Sequence, residues 1–186
     1  MPLAEVDWSR IPPPRNDGGA DHLPGRRLPD VALPATDGRM VNLSRLPGRT
    51  VVYIYPMTGR PDTPLPEGWD MIPGARGCTP QSCAFRDHFE DLRALGIDAL
   101  FGLSVQHTAW QQEAVQRLHL PFALLSDAQM ALTRALRLPT MKVHAATLLK
   151  RLTLILDEGV IARTFYPVFP PDAHVDEVIG WLRESG

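Results

Sequence analysis

From Leu28 onward, apolar residues fall into short runs separated by polar turns, and two periods alternate along the chain. Val31-Ala32-Leu33 and Met40-Val41-Asn42-Leu43 flank a turn at Thr36-Asp37-Gly38 and predict a short hairpin. Val51-Val52-Tyr53-Ile54-Tyr55 is a nearly continuous β-prone run, the pattern of a strand buried on both faces, and Pro56 ends it. A helix is predicted after residue 78, with Thr79 as N-cap and Pro80 in its first turn. Phe85, Phe89, Leu92 and Leu95 then recur on one face, and Gly96 closes the helix. The pattern continues as a strand from Ile97 to Val105, a helix over about 108–118, a short strand from Phe122 to Leu125 and a helix over about 127–136. A hairpin from Met141 to Lys150, strands Arg151–Leu156 and Val160–Tyr166 around an Asp157-Glu158-Gly159 turn, and a helix from about Asp172 to Glu184 complete it. Strands alternating with helices, ending in an antiparallel hairpin and a helix, argue for an α/β fold built on a mixed sheet.

Two stretches lack a usable period. Residues 1–27 are polar and broken by Pro12-Pro13-Pro14 and Gly18-Gly19, which predicts an extended arm pinned by Trp8 and Ile11. Residues 57–77 contain Pro61, Pro64, Pro66, Pro73 and four glycines. An irregular loop of that length inside a compact domain is usually functional or disordered, and Trp69 and Ile72 argue that it is packed down and functional. The expected organisation is an arm over 1–27 and a single domain over 28–186.

Composition narrows the function classes. A chain of 186 residues suits one domain with a full core. A formal charge of −2 leaves no electrostatic footprint for nucleic acid. No run of 18 apolar residues predicts a membrane span, and the opening segment lacks a secretory pattern. The expectation is a soluble, cytoplasmic protein whose thiols are held reduced. Two cysteines exclude a disulfide-stapled scaffold and a four-cysteine zinc module. None of the six histidines has metal-ligand spacing.

In a reducing setting a close cysteine pair points to catalysis or redox sensing. Cys78 sits at the start of the predicted helix, where unpaired N–H groups and the helix dipole favour an anion, and Gly77 lets backbone approach a small ligand. That placement suits a reactive thiolate. Cys83 lies five residues on. In an ideal helix residues i and i+5 have Cα atoms about 8.6 Å apart, whereas a disulfide needs roughly 4.4–6.8 Å. A Cys78–Cys83 disulfide therefore requires the first turns of the helix to unwind.

The segment Gly77-Cys78-Thr79-Pro80-Gln81-Ser82-Cys83-Ala84-Phe85-Arg86-Asp87 resembles the active-site segment of the peroxiredoxins, most closely the Q-type or bacterioferritin comigratory protein branch. The likeness extends over roughly residues 28–184, through Leu28-Pro29-Asp30, Tyr53-Ile54-Tyr55-Pro56, Gly102-Leu103-Ser104, Leu124-Leu125-Ser126-Asp127 and Lys150-Arg151-Leu152-Thr153-Leu154-Ile155-Leu156-Asp157. The resemblance implies a thioredoxin-like fold and a thiol peroxidase. Cys78 would be the peroxidatic cysteine, attacking hydrogen peroxide or an alkyl hydroperoxide to give a sulfenic acid. Cys83 would resolve it to an intramolecular disulfide, recycled by thioredoxin or a similar dithiol. Arg151 falls where the family carries its active-site arginine, a fixed guanidinium that lowers the thiol pKa and directs donors at the peroxide. The family needs no metal or organic cofactor, and its Q-type members are often monomeric, so a monomer or weak homodimer is expected.

One departure stands out. The family motif is Pro-x-x-x-Thr-x-x-Cys, but this chain has Ala75 three residues before Cys78 and Met71 seven before. Thr58, just after Pro56, is the candidate to supply the missing hydroxyl, and the 57–77 insertion is the candidate wall of the peroxide pocket. A non-enzymatic redox sensor or a thiol–disulfide oxidoreductase of the same fold would share the first chemical step.

Overall fold

A computed structural model describes residues 5–186. Residues 1–4, where the arm and the opening segment begin, lie outside the described residues. A two-stranded hairpin comes first, β1 (Ala32–Pro34) and β2 (Met40–Asn42), followed by β3 (Arg49–Ile54). Next come α1 (Cys78–Asp87), α2 (Phe89–Ala94), β4 (Ala99–Ser104), α3 (Thr108–Leu118), β5 (Leu124–Ser126) and α4 (Ala131–Leu136). The hairpin β6 (Thr140–Val143) and β7 (Ala146–Leu149), the strands β8 (Leu152–Asp157) and β9 (Val160–Phe165), and α5 (His174–Ser185) complete the chain.

The main sheet has five strands in the order β5-β4-β3-β8-β9. β3 pairs parallel with β4 and antiparallel with β8, and β4 pairs parallel with β5, so the sheet is mixed as the pattern predicts. Its two faces follow from the period of two along β3. Val51, Tyr53 and Tyr55 enter a core with Phe85, Leu92, Val178 and Leu182. Val52 and Ile54 enter the opposite core with Leu33, Leu132, Leu136 and Leu23 of the arm. Gly102 on β4 permits this packing, because a Cβ there would lie 2.5 Å from Leu124 Cδ2 and 2.7 Å from Tyr53 Cζ. Phe85 stacks on Tyr53 at a centroid distance of 4.5 Å, which fixes α1 against the centre of the sheet.

The expected elements recur with three corrections. The single helix from Thr79 to Gly96 is two helices. At His88 the backbone leaves helical values (φ −105°, ψ 11°), and its ring Nδ1 sits 2.9 Å from the Ala84 carbonyl, the same oxygen that accepts the His88 N–H. The N-cap is Gly77 rather than Thr79, so Cys78 is the first helical residue. The helix expected from 127 begins at Ala131. Asp127 stays outside it and caps it, accepting from the backbone N–H groups of Leu132 (3.1 Å) and Thr133 (2.8 Å). The arm lies along the domain: Ile11, Ala20 and Leu23 are buried, and the Trp8 indole N–H donates to Asp172 Oδ2 at 2.9 Å.

Candidate active site

The chain enters α1 through Gly77, whose φ of +112° is open only to glycine at low cost. Its missing side chain is also a packing requirement. A Cβ there would lie 2.6 Å from Trp8 Cη2 and 2.7 Å from Pro171 Cγ. The arm and the turn before α5 thus close over the backbone that presents Cys78.

Arg151, between β7 and β8, reaches Cys78 from the sheet side. Its Nη2 lies 3.2 Å from Cys78 Sγ and 3.3, 3.1 and 3.2 Å from the carbonyl oxygens of Gly74, Ala75 and Arg76. One nitrogen with two hydrogens therefore serves four acceptors. Nη1 donates to Gln81 Oε1 on the same face of α1 as Cys78. Every hydrogen bond of this guanidinium among the described residues goes to a neutral group or to Sγ, none to a carboxylate. Arg151 is 3% exposed, so its charge is balanced by carbonyl dipoles and is free to stabilise an anionic sulfur. The same bonds hold residues 74–76 against the sheet and so fix the approach to Cys78.

Cys78 and Cys83 are both buried, both free, and both within the intact α1. Cys78 Sγ has the Ala75 carbonyl at 3.7 Å as acceptor for its S–H. Cys83 sits in a different field: burial pushes its thiol pKa up, and the charges of Arg86 and Arg117 pull against that. Between them Ser82 Oγ meets the buried Tyr53 hydroxyl at 3.0 Å. That phenol is held neutral, because burial raises its pKa well above the ordinary value.

Cys78 opens onto a cavity of about 400 Å³ walled by Met57, Pro61, Leu65, Trp69 and Pro80, with Arg60, Arg76 and Arg117 at its edge. The insertion supplies most of this wall. Trp69 and Ala75 pack with Val143 and Leu148 of the β6–β7 hairpin, which pins the insertion to the domain.

Of the sequence-derived candidates, Cys78, Cys83 and Arg151 gather around α1. Thr58 does not join them. Its N–H and hydroxyl both face Gln106 Oε1 (3.0 and 3.3 Å), and its carbonyl accepts from Gln106 Nε2 (3.0 Å) and Trp110 Nε1 (2.8 Å). Its side chain is buried and is not among the residues that line the Cys78 cavity. Sequence reasoning missed Gln81, although its i+3 spacing from Cys78 places both on one helix face. It also missed the carbonyl cage of residues 74–76.

Comparison with known proteins places this site in a family. The model of the redoxin family matches residues 23–179. The chain belongs to the redoxin family. Its relatives include the chloroplastic peroxiredoxin Q of Oryza sativa subsp. japonica, 33% identical over 161 residues that cover 86% of this chain and 66% of the relative. The peroxiredoxin bcp of Coxiella burnetii is 32% identical over 162 residues, covering 85% of this chain and 97% of the relative. The chain thus spans just under two thirds of the rice protein and nearly all of the bacterial one. Among solved structures, peroxidoxin BcpB of Mycobacterium tuberculosis superposes with a TM-score of 0.70 at 23% identity over 88% of this chain and 98% of that one. The bacterioferritin comigratory protein of Xanthomonas campestris gives 0.68 at 20% identity over 88% and 98%. These likenesses establish the α/β thioredoxin-like fold of this redoxin, with its mixed five-stranded sheet and N-terminal hairpin. Among the described residues no helix is long and apolar enough to cross a membrane, and no three His, Cys, Asp or Glu gather in a metal-holding group.

Proposed function

We propose that this redoxin is a thiol peroxidase that reduces hydrogen peroxide and organic hydroperoxides through Cys78. The observation that carries the proposal is the Arg151 guanidinium 3.2 Å from Cys78 Sγ, at the first residue of α1, on the wall of a cavity. A fixed cation and a helix N-terminus both favour the thiolate, which is the nucleophile. The thiolate attacks one peroxide oxygen and the O–O bond breaks. That oxygen stays on sulfur, and the departing oxygen takes a proton to leave as water or an alcohol. Cys78 is oxidised to the sulfenic acid and the peroxide is reduced. The guanidinium charge beside Sγ stabilises the negative charge that develops on the leaving oxygen.

Cys83 then condenses with the sulfenic acid, forming the S–S bond and releasing water. This step needs α1 to open between the two residues, as their spacing demands. A thioredoxin-type dithiol returns both thiols by exchange, itself becoming the disulfide. The reaction belongs in a compartment that supplies such a reductant.

The test is to mix reduced protein with one equivalent of hydrogen peroxide and follow free thiols. The wild type is expected to lose both thiols rapidly. Cys83→Ser is expected to accumulate a sulfenic acid, and Cys78→Ser to fall by at least about a thousandfold in rate. Slow, equal reactivity of the two thiols would overturn the proposal.

A further inference from the structure

We propose that the 57–77 insertion is a specificity subsite: Met57, Leu65 and Trp69 hold the apolar body of an organic hydroperoxide whose O–O group lies at Cys78. The inference deepens the peroxidase reading and rests on it.

The open cleft beside Cys78 has a volume of about 400 Å³. A water molecule's share of liquid volume is about 30 Å³, and hydrogen peroxide is only one oxygen larger, so most of the space is surplus to that substrate. The lining is largely apolar, and its three guanidiniums already have partners. Arg117 is bound to Glu113 at 2.7 Å and to the Gly59 carbonyl at 2.9 Å. Arg60 stacks over Trp110 at 4.2 Å, and Arg76 pairs with Asp70 at 3.0 Å. What remains to select a ligand is apolar surface, the usual lining of a small-molecule pocket.

Leu65 is 45% exposed, one of three large hydrophobic residues left exposed among the described residues, and Met71 of the same insertion is another. Leu65 rests on the backbone of Gly59, where a Cβ would lie 2.9 Å from Leu65 Cδ2. The Gly59 carbonyl is itself held by Arg117, so the leucine stands on a fixed shelf. A hydroperoxide with an apolar body removes Leu65 from water and is favoured in proportion to the area covered. The chemistry is unchanged: Sγ takes the terminal oxygen, the O–O bond breaks, and the protonated alkoxide leaves as the alcohol.

The experiment compares kcat/KM for cumene hydroperoxide with kcat/KM for hydrogen peroxide in wild type, Leu65→Asp and Leu65→Met. Leu65 is exposed in a loop, so neither variant needs the core to repack. The ratio of the two constants is expected to fall about tenfold in Leu65→Asp and to stay within about threefold of wild type in Leu65→Met. A ratio within about twofold of wild type in Leu65→Asp would overturn the inference while leaving the peroxidase reading intact. A wild type that reduces neither peroxide would overturn both.

Discussion

Two positions on α1, its first residue and its middle, carry the same functional group in different settings. At the first residue, Cys78 faces a guanidinium, a ring of carbonyls and a cavity. One and a half turns later, Cys83 shares the apolar cluster of Cys78 but not the guanidinium, and burial pushes its pKa up against the pull of Arg86 and Arg117. The chain therefore brings different groups to each sulfur. Arg151 is 73 residues from Cys78 in sequence, and it is the sheet that puts them together. The contrast extends to mechanics. The Cys78 end hangs on Gly77, wedged under Trp8 and Pro171, and on Ser82–Tyr53, whereas the Cys83 end is anchored by Phe85 stacked on Tyr53 and by Arg86 bound to the Leu118 carbonyl at 2.8 Å. Opening α1 for a disulfide means releasing the first set and keeping the second.

The largest expected effect comes from removing the feature that separates the two sulfurs. Arg151→Gln should lower the rate of Cys78 with hydrogen peroxide by about 10²–10³-fold, measured by stopped flow, because it deletes the cation beside Sγ. In a Cys78→Ser background the same change should leave alkylation of Cys83 within about twofold. Gly77→Ala should destabilise the protein by about 2 kcal/mol, read as a lower midpoint in urea, since it forces a strained φ and a clash with Trp8 and Pro171. A smaller loss, about tenfold in the peroxide rate, is expected for Gln81→Leu, which leaves an Arg151 N–H without its acceptor and the guanidinium less firmly aimed.

The pH comparison is subtler. With Cys78 replaced by Ser, the alkylation rate of Cys83 should rise with pH along a curve displaced above that of a free thiol, because burial penalises the charged form. A curve at or below the free-thiol position would mean that Arg86 and Arg117 outweigh burial there. Last, Thr58→Val should leave kcat/KM for peroxide within about twofold, since its hydroxyl is turned to Gln106.

Much of this architecture is legible in the sequence because it rests on local patterns. The apolar run at 51–55 gives the central strand, and the helix expected over 108–118 has those bounds in α3. Cys78 and Cys83 are marked by spacing and by Gly77. What was not legible depends on contacts made across the chain. The break at His88, where φ is −105° and ψ 11°, falls inside a continuous helical period that gives no sign of it. Thr58 looked available because it follows Pro56, but Gln106 and Trp110, 48 and 52 residues away, bind both its backbone and its hydroxyl. The Arg151 cage uses backbone carbonyls, whose identity leaves no trace in side chains.

If the chemistry of Cys78 ends in a disulfide with Cys83, α1 must open to make it. Amide hydrogen exchange across residues 77–86, compared between reduced protein and protein oxidised with one equivalent of hydrogen peroxide, tests this most directly. Strong protection is expected in the reduced form, with its loss on oxidation over residues 77–82 and its retention over residues 84–86. Identical protection in the two states, with both thiols oxidised, would contradict it.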